Sequence, residues 1–154
     1  MLSDKFKENA SYALHILTFI AYFVLLFVLE TQPALHFLQY IGLVLFVFGI
    51  LFLVLSLLAL LRNKTGTLIQ SGIYGIVRHP MYLGAILLFT AMVCFLPHWI
   101  MLLLYAINIY IVYRFMIQGD AQNIENFGSA YREYMRVVPR ANPLVGFIKW
   151  LRKK

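Results

Sequence analysis

Between Thr31 and Leu61 the chain carries no Asp, Glu, Lys or Arg, and residues 37–61 are almost wholly apolar. Roughly 20 apolar residues, rising 1.5 Å each, cross the hydrocarbon of a bilayer. A backbone in lipid has to satisfy its own hydrogen bonds, so such a run must be helical. The rest of the 154 residues agree with this environment: 62% are hydrophobic and only 12% charged. A soluble domain is about a quarter charged. The chain therefore reads as an integral membrane protein.

Residues 12–29, 80–96 and 99–117 are three further candidate spans. Residues 30–36, with Pro33, read as a short turn between the first two spans. Pro97-His98 reads as a tight turn that makes the last two a helical hairpin. All 13 Lys and Arg lie before the first span, between the second and third, or from the end of the fourth onwards. Neither short turn has any. With four spans this puts every basic residue on one face, so both termini are expected in the cytoplasm. The net charge of +7 then belongs to the cytoplasmic face, where it favours anionic lipid, and no nucleic-acid signature accompanies it. Asp4 and Glu8 stand beside Lys5 and Lys7, and no small-residue cleavage site follows the first apolar run. That is not the pattern of a cleaved signal peptide.

After the fourth span the chain becomes polar but stays patterned. Ile124, Phe127, Tyr131, Tyr134 and Val138 follow helical spacing, with Phe127-Gly128 as a candidate break. Beyond Pro139 and Pro143, Phe147, Ile148, Trp150 and Leu151 alternate with Lys149 and Arg152 as an interfacial amphipathic helix would. The expected fold is all-α: a single domain of residues 1–154, polytopic, with about four transmembrane helices and a cytoplasmic amphipathic C-terminal cap at residues 118–154.

The chemistry-bearing residues concentrate between Ser71 and Gly84, in the run Ser-Gly-Ile-Tyr-Gly-Ile-Val-Arg-His-Pro-Met-Tyr-Leu-Gly. Pro80 has its φ preset and lacks an N–H, which suits the first position of a helix. It also disfavours the helical conformation at His79. Residues 68–79 are thus expected to be a non-helical approach that holds Arg78 and His79 at a helix N-terminus, where an anion is favoured.

Other polar residues have simpler roles. Asn108 suits an interhelical hydrogen bond, Arg114 snorkels from the end of the fourth span, and His15 packs within the first. His36 and His98 are interfacial, and the lone Cys94 is an inert core thiol. The four histidines are dispersed and no carboxylate sits at ligand spacing to His79, so no metal site is expected.

The pattern Leu68-x3-Gly72-x-Tyr74-x3-Arg78-His79-Pro80-x-Tyr82-x-Gly84 is followed one hairpin later by Phe127-Gly128-x2-Tyr131-x2-Tyr134-x3-Val138-x-Arg140. Together they resemble the integral-membrane methyltransferases, the isoprenylcysteine carboxyl methyltransferase and phospholipid methyltransferase families. The resemblance covers about the C-terminal half of the chain. It implies S-adenosylmethionine held between the hairpin and the C-terminal cap, and methyl transfer to a small lipophilic or lipid-linked acceptor that arrives from the membrane. The cofactor-binding residues it implies are Gly72, Tyr74, Arg78, His79, Tyr82, Asp120, Tyr131 and Tyr134. Arg114, Arg132 and Arg140 are the candidate catalytic residues, orienting the nucleophile. Family members usually carry Glu-Glu shortly before the Phe-Gly motif. Here Asp120 is the acidic residue in that region, with Glu125 beyond it. That departure supports the alternative of a non-catalytic membrane assembly or regulatory protein that keeps the fold. A small transporter is disfavoured, because the spans lack paired intramembrane charges.

Overall fold

A computed structural model describes residues 4–29, 36–63 and 66–152. The described residues are helical and contain no strand. The helices are α1 (Asp4–Val28), α2 (His36–Arg62), α3 (Pro80–Phe95), α4 (Trp99–Val137) and α5 (Pro143–Leu151), with a 3-10 turn at Gly72–Gly75 before α3. The turn expected at residues 30–36 lies outside the described residues, apart from His36, which opens α2.

Four helices occupy the expected apolar segments, and two of them are long and apolar enough to cross a membrane: Phe37–Arg62 and Trp99–Val137. In α2 only 11% of the most apolar window is buried. An apolar surface that the protein itself leaves uncovered is what lipid solvates. The apolar parts of α1 (Asn9–Leu25) and α3 (Pro80–Phe95) are shorter.

Two boundaries differ from expectation. The polar change after residue 117 is not a change of backbone, because α4 continues to Val137. Its interruption is at Gly128, with φ 56 and ψ −125, a conformation open to a residue without a Cβ. The cap is therefore the outer end of α4 plus α5, not a separate unit from residue 118. In addition, the approach to α3 is not wholly irregular, since it holds the 3-10 turn at Gly72–Gly75.

Pro80 is the first residue of α3, and His79 before it is non-helical at φ −124, ψ 61. At the hairpin, His98 Nδ1 accepts from the Ile100 N–H (3.2 Å) and caps α4. A half-buried side-chain cap satisfies one of the donors that a helix start leaves orphaned.

The core lies where α1, α3 and α4 meet, around Tyr22, Phe89, Met101, Val112 and Met116. Asn108 and Tyr22 are paired there, whereas the buried His15 Nδ1 has no hydrogen-bond partner among the described residues. Asn108 accepts from the Thr18 hydroxyl (2.9 Å) across α1 and α4 and donates to the Leu104 carbonyl (2.9 Å). The Tyr22 hydroxyl donates to the Met101 carbonyl (3.2 Å). His15 packs edge-on to Phe89 and Phe115.

On its other side α3 lies against α2 through glycine. A Cβ on Gly84 would sit 2.9 Å from the Gly49 carbonyl oxygen, and one on Gly49 would sit 3.1 Å from the Gly84 carbonyl oxygen. Lipid gives helices no hydrophobic reason to associate, so close backbone packing at small residues has to supply it. Gly84→Ala should accordingly cost about 1–3 kcal/mol through overpacking. Gly119→Ala, whose Cβ would find only an ordinary 3.5 Å contact with His79, should be neutral or slightly stabilising. Thermal unfolding of the two variants in detergent distinguishes them.

A candidate active site around Asp120

Asp120 lies on α4, buried at 4% exposure, and collects donors from three stretches of chain. Its Oδ1 accepts from Tyr131 Oη (2.6 Å), His79 Nε2 (2.8 Å) and Arg78 Nη1 (3.1 Å). Its Oδ2 accepts from Arg140 Nε (3.0 Å). Arg140 also stacks over the Tyr113 ring at 5.7 Å. The backbone repeats the connection: the N–H groups of Arg78 and His79 donate to the carbonyls of Pro139 (3.0 Å) and Arg140 (3.1 Å). The start of α3, the middle of α4 and the chain after α4 are thus tied at one point.

The electrostatics follow from this arrangement. Burial alone would raise the Asp120 pKa. Hydrogen bonds from His79 and Tyr131 and the charge of Arg78 outweigh it and hold the carboxyl well below the usual carboxylate range. Burial, reinforced by the neighbouring carboxylate, pushes the Tyr131 phenol up to about 12. An ionised Asp120 accepts hydrogen bonds only, so the His79 Nε2 carries a proton. Two guanidiniums face one carboxylate, which leaves an excess of positive charge.

Beside the cluster is a cavity of about 310 Å³, at the lower end of the range of about 300–1,000 Å³ for small-molecule sites. Arg78, His79, Tyr74, Tyr82, Tyr131 and Tyr134 line it, and Leu60, Leu68, Ile69 and Met81 form an apolar side. Two latches shape its wall: the Tyr134 hydroxyl donates to the Tyr74 carbonyl (2.6 Å), and the Tyr74 and Ser56 hydroxyls bond at 2.9 Å. Burial raises the pKa of both tyrosines. Arg78 spends Nη1 on Asp120, but its buried Nε has no hydrogen-bond partner among the described residues. A buried donor without an acceptor, in a residue that also lines a cavity, calls for an explanation.

Several sequence-predicted residues meet here. Tyr74, Arg78, His79, Tyr82, Tyr131 and Tyr134 reach the cavity. Asp120 stands behind its wall and positions Arg78 and His79. The anion expected at the start of α3 is thus, in part, the chain's own carboxylate. Arg140 joins the cluster from the same side. Gly72 is exposed and lies outside the cavity wall, where its φ of 60 shapes the 3-10 turn. Arg114 and Arg132 do not come to the site. Six residues before Asp120, Arg114 is about 120° round α4 from it. It is exposed, beside the Tyr110 hydroxyl (3.4 Å). Arg132 follows Tyr131 and is turned outward, exposed.

The wall also uses residues that motif reading passed over: Ser56, Thr67 and Asn123. For Asn123 there was a signal, since Asp120, Asn123, Phe127 and Tyr131 share helical spacing. Ser56 is one hydroxyl in an apolar run, and nothing local marks it.

A profile of the isoprenylcysteine carboxyl methyltransferase (ICMT) family matches residues 55–125. That stretch runs from the end of α2 through the Arg78-His79-Pro80 turn to just past Asp120. Over that stretch the chain is similar to the ICMT family. The chain is also 31% identical over 88 residues to the protein-S-isoprenylcysteine O-methyltransferase of Schizosaccharomyces pombe. The match covers 54% of this chain and 36% of that relative, so the chain spans little more than a third of its length. No solved structure matches. Tyr131, Tyr134 and Arg140 fall beyond the family profile, yet they complete the cluster that the profile residues begin.

Asp120→Asn should destabilise the protein by about 3–5 kcal/mol, because it leaves the buried Arg78 guanidinium without its counter-charge. The pH dependence has a definite sign. The folded carboxyl titrates below its unfolded counterpart, so its stabilisation is complete at neutral pH. It is lost as pH falls from about 4 toward the depressed folded value. Melting temperature against pH should therefore show an acid limb in the parent protein that is flattened in Asp120→Asn.

Proposed function

We propose that this chain transfers a methyl group from S-adenosylmethionine to a lipophilic acceptor that reaches the cavity from the membrane. The observation that carries the reading is the Arg78-His79 pair on the cavity wall, where two guanidiniums face a single carboxylate, within the stretch that matches the methyltransferase family. The chemistry of the wall fits this cofactor. Its carboxylate suits the Arg78 guanidinium, the local excess of positive charge and the N-terminus of α3. Its sulfonium suits the aromatic faces of Tyr74, Tyr82, Tyr131 and Tyr134. When bound, it supplies an electrophilic methyl group.

The chain's own residues bind, orient and exclude water. Asp120 holds Arg78 and His79 in place, and the Tyr134–Tyr74–Ser56 latch closes the wall, so the methyl donor and acceptor meet with little freedom left to lose. The apolar side at Leu60, Leu68, Ile69 and Met81 is suited to the lipid-linked end of an acceptor, and Leu60 and Met81 are themselves exposed. The name of the yeast relative gives isoprenylcysteine as that protein's acceptor and oxygen as its acceptor atom. A lipid-linked acceptor is accordingly the favoured class here. Arg140, half-buried at the edge of the cluster, is the remaining basic residue placed to steer an acidic acceptor, whereas Arg114 and Arg132 are turned away.

Calorimetric titration with S-adenosylmethionine tests the reading. The protein should bind it. Arg78→Lys, which keeps the charge opposite Asp120 but loses the guanidinium fork, should bind roughly ten- to a hundred-fold more weakly, as expected for one charge-assisted hydrogen bond. Its melting temperature should change little. Absence of binding in both detergent and lipid removes the enzymatic reading. It leaves the second one, a non-catalytic protein that keeps the fold, which is favoured by the saturation of Asp120 with four donors from its own chain.

The proposed topology has four crossings, with both termini and the cavity cytoplasmic. In a Cys94→Ala background, Gln32→Cys should label with a membrane-impermeant maleimide from the outside only, and Ser129→Cys from the inside only. Labelling of both from one side contradicts the four-span topology.

A further inference from the structure

The helix α5 is held by one face and uncovered on the other. A Cβ on Gly146 would coincide with the Ile76 carbonyl oxygen, so the backbone of α5 rests directly on the chain that leads into Arg78-His79. Trp150, one turn on, faces Gly75 (3.6 Å to a Cβ built there). The Asn142 side chain accepts from the Val145 N–H (3.1 Å) and caps the helix. Opposite Gly146, at 100° per residue, Leu144, Phe147, Ile148 and Leu151 fall within an arc of roughly 100°. They are 76%, 46%, 52% and 51% exposed. Lys149 and Arg152 flank that arc on one side, and Lys153 and Lys154 follow in sequence.

An apolar stripe of this width beside a basic flank has an evident complement. Water does not solvate it well, and the basic side chains give it a preference for negative charge. A bilayer interface with anionic headgroups satisfies both: the apolar face sinks to the acyl boundary, and the long basic side chains reach back to the headgroups. Each Lys or Arg near such a surface strengthens attachment about five-fold. The helices α2 and α4 already place this chain in a membrane, so the surface is within reach without a second molecule.

We propose that α5 is a lipid-docked strap: its Leu144–Phe147–Ile148–Leu151 face lies on an anionic bilayer surface, and through the Gly146–Ile76 contact it holds residues 76–79 in place. The strap is short. Arg78 and His79 donate their N–H groups to Pro139 and Arg140, and α5 begins at Pro143. Lipid composition is thereby coupled to the Asp120 cluster, whatever the cavity binds.

The test uses the full chain in nanodiscs of phosphatidylcholine alone or with added phosphatidylglycerol. In a Cys94→Ala background, Phe147→Cys carries a nitroxide, and Ser129→Cys serves as the aqueous control. The label at position 147 should be more accessible to oxygen than to a nickel chelate, more so with phosphatidylglycerol, while the control should prefer nickel in both discs. Adding Lys149→Glu and Arg152→Glu should abolish the phosphatidylglycerol effect and speed amide exchange at Arg78 and His79 several-fold. Equal access of the 147 label to nickel in both discs overturns the docking. Shielding from both reagents, with dipolar coupling between labels, gives a second copy as the occupant and also overturns it. Identical burial in the two lipids removes the requirement for anionic charge. Unchanged exchange at Arg78 and His79 when the label leaves the bilayer removes the coupling. None of these readouts depends on cofactor binding, so failure here is distinct from failure of the methyltransferase reading.

Discussion

One carboxylate organises the cytoplasmic end expected for this protein. Asp120 is buried, and a buried charge is tolerated only when it is paired and hydrogen-bonded. The chain meets that demand from three places: Arg78 and His79 ahead of α3, Tyr131 beyond the break in α4, and Arg140 in the tail. None of these donors is near another element by covalent necessity. Their common need for the same two oxygens brings the hairpin and the tail together. The cavity is the space left between them, and the excess positive charge beside it is a by-product of how the pairing is distributed.

The rest of the fold makes that convergence possible in a membrane environment. Apolar helices in lipid do not collapse as they do in water, so contact between them depends on shape and on hydrogen bonds. The Gly49–Gly84 crossing lets the backbones of α2 and α3 approach, and it brings Ser56 to within hydrogen-bond distance of Tyr74. The Asn108–Thr18 hydrogen bond ties α1 to α4. Gly128 then turns the outer part of α4, and Tyr131 and Tyr134 face back toward the start of α3. A second backbone-to-backbone contact, Gly146 on Ile76, closes the same assembly from below.

Much of this was legible in the residues themselves. Uncharged runs gave the helices, Pro80 marked the start of α3, and Gly128 marked the break in α4, because proline and glycine restrict or relax the backbone locally. The pairing of an Arg-His-Pro turn with a later run of tyrosines pointed to one site and to the methyltransferase resemblance. What local pattern left open was direction. Arg114 and Arg132 carry the same chemistry as Arg78 and Arg140, and their angle around α4 turns them outward, away from Asp120. The continuation of α4 past residue 117 was hidden for a similar reason. Polarity changes there, and polarity is a weaker guide to backbone than periodicity.

The amino-acid sequence alone determined that the chain is helical and as apolar as a membrane protein, and which turn bears the polar chemistry. Those properties follow from transfer energies and backbone stereochemistry, which act residue by residue. The tertiary structure decided that Asp120 serves as an internal counter-ion behind the wall, that Arg78 lines the cavity beside it, and that Gly72 stays outside. These are questions of which donor reaches which acceptor in a shared, water-poor space. The answer depends on all the helices being packed at once.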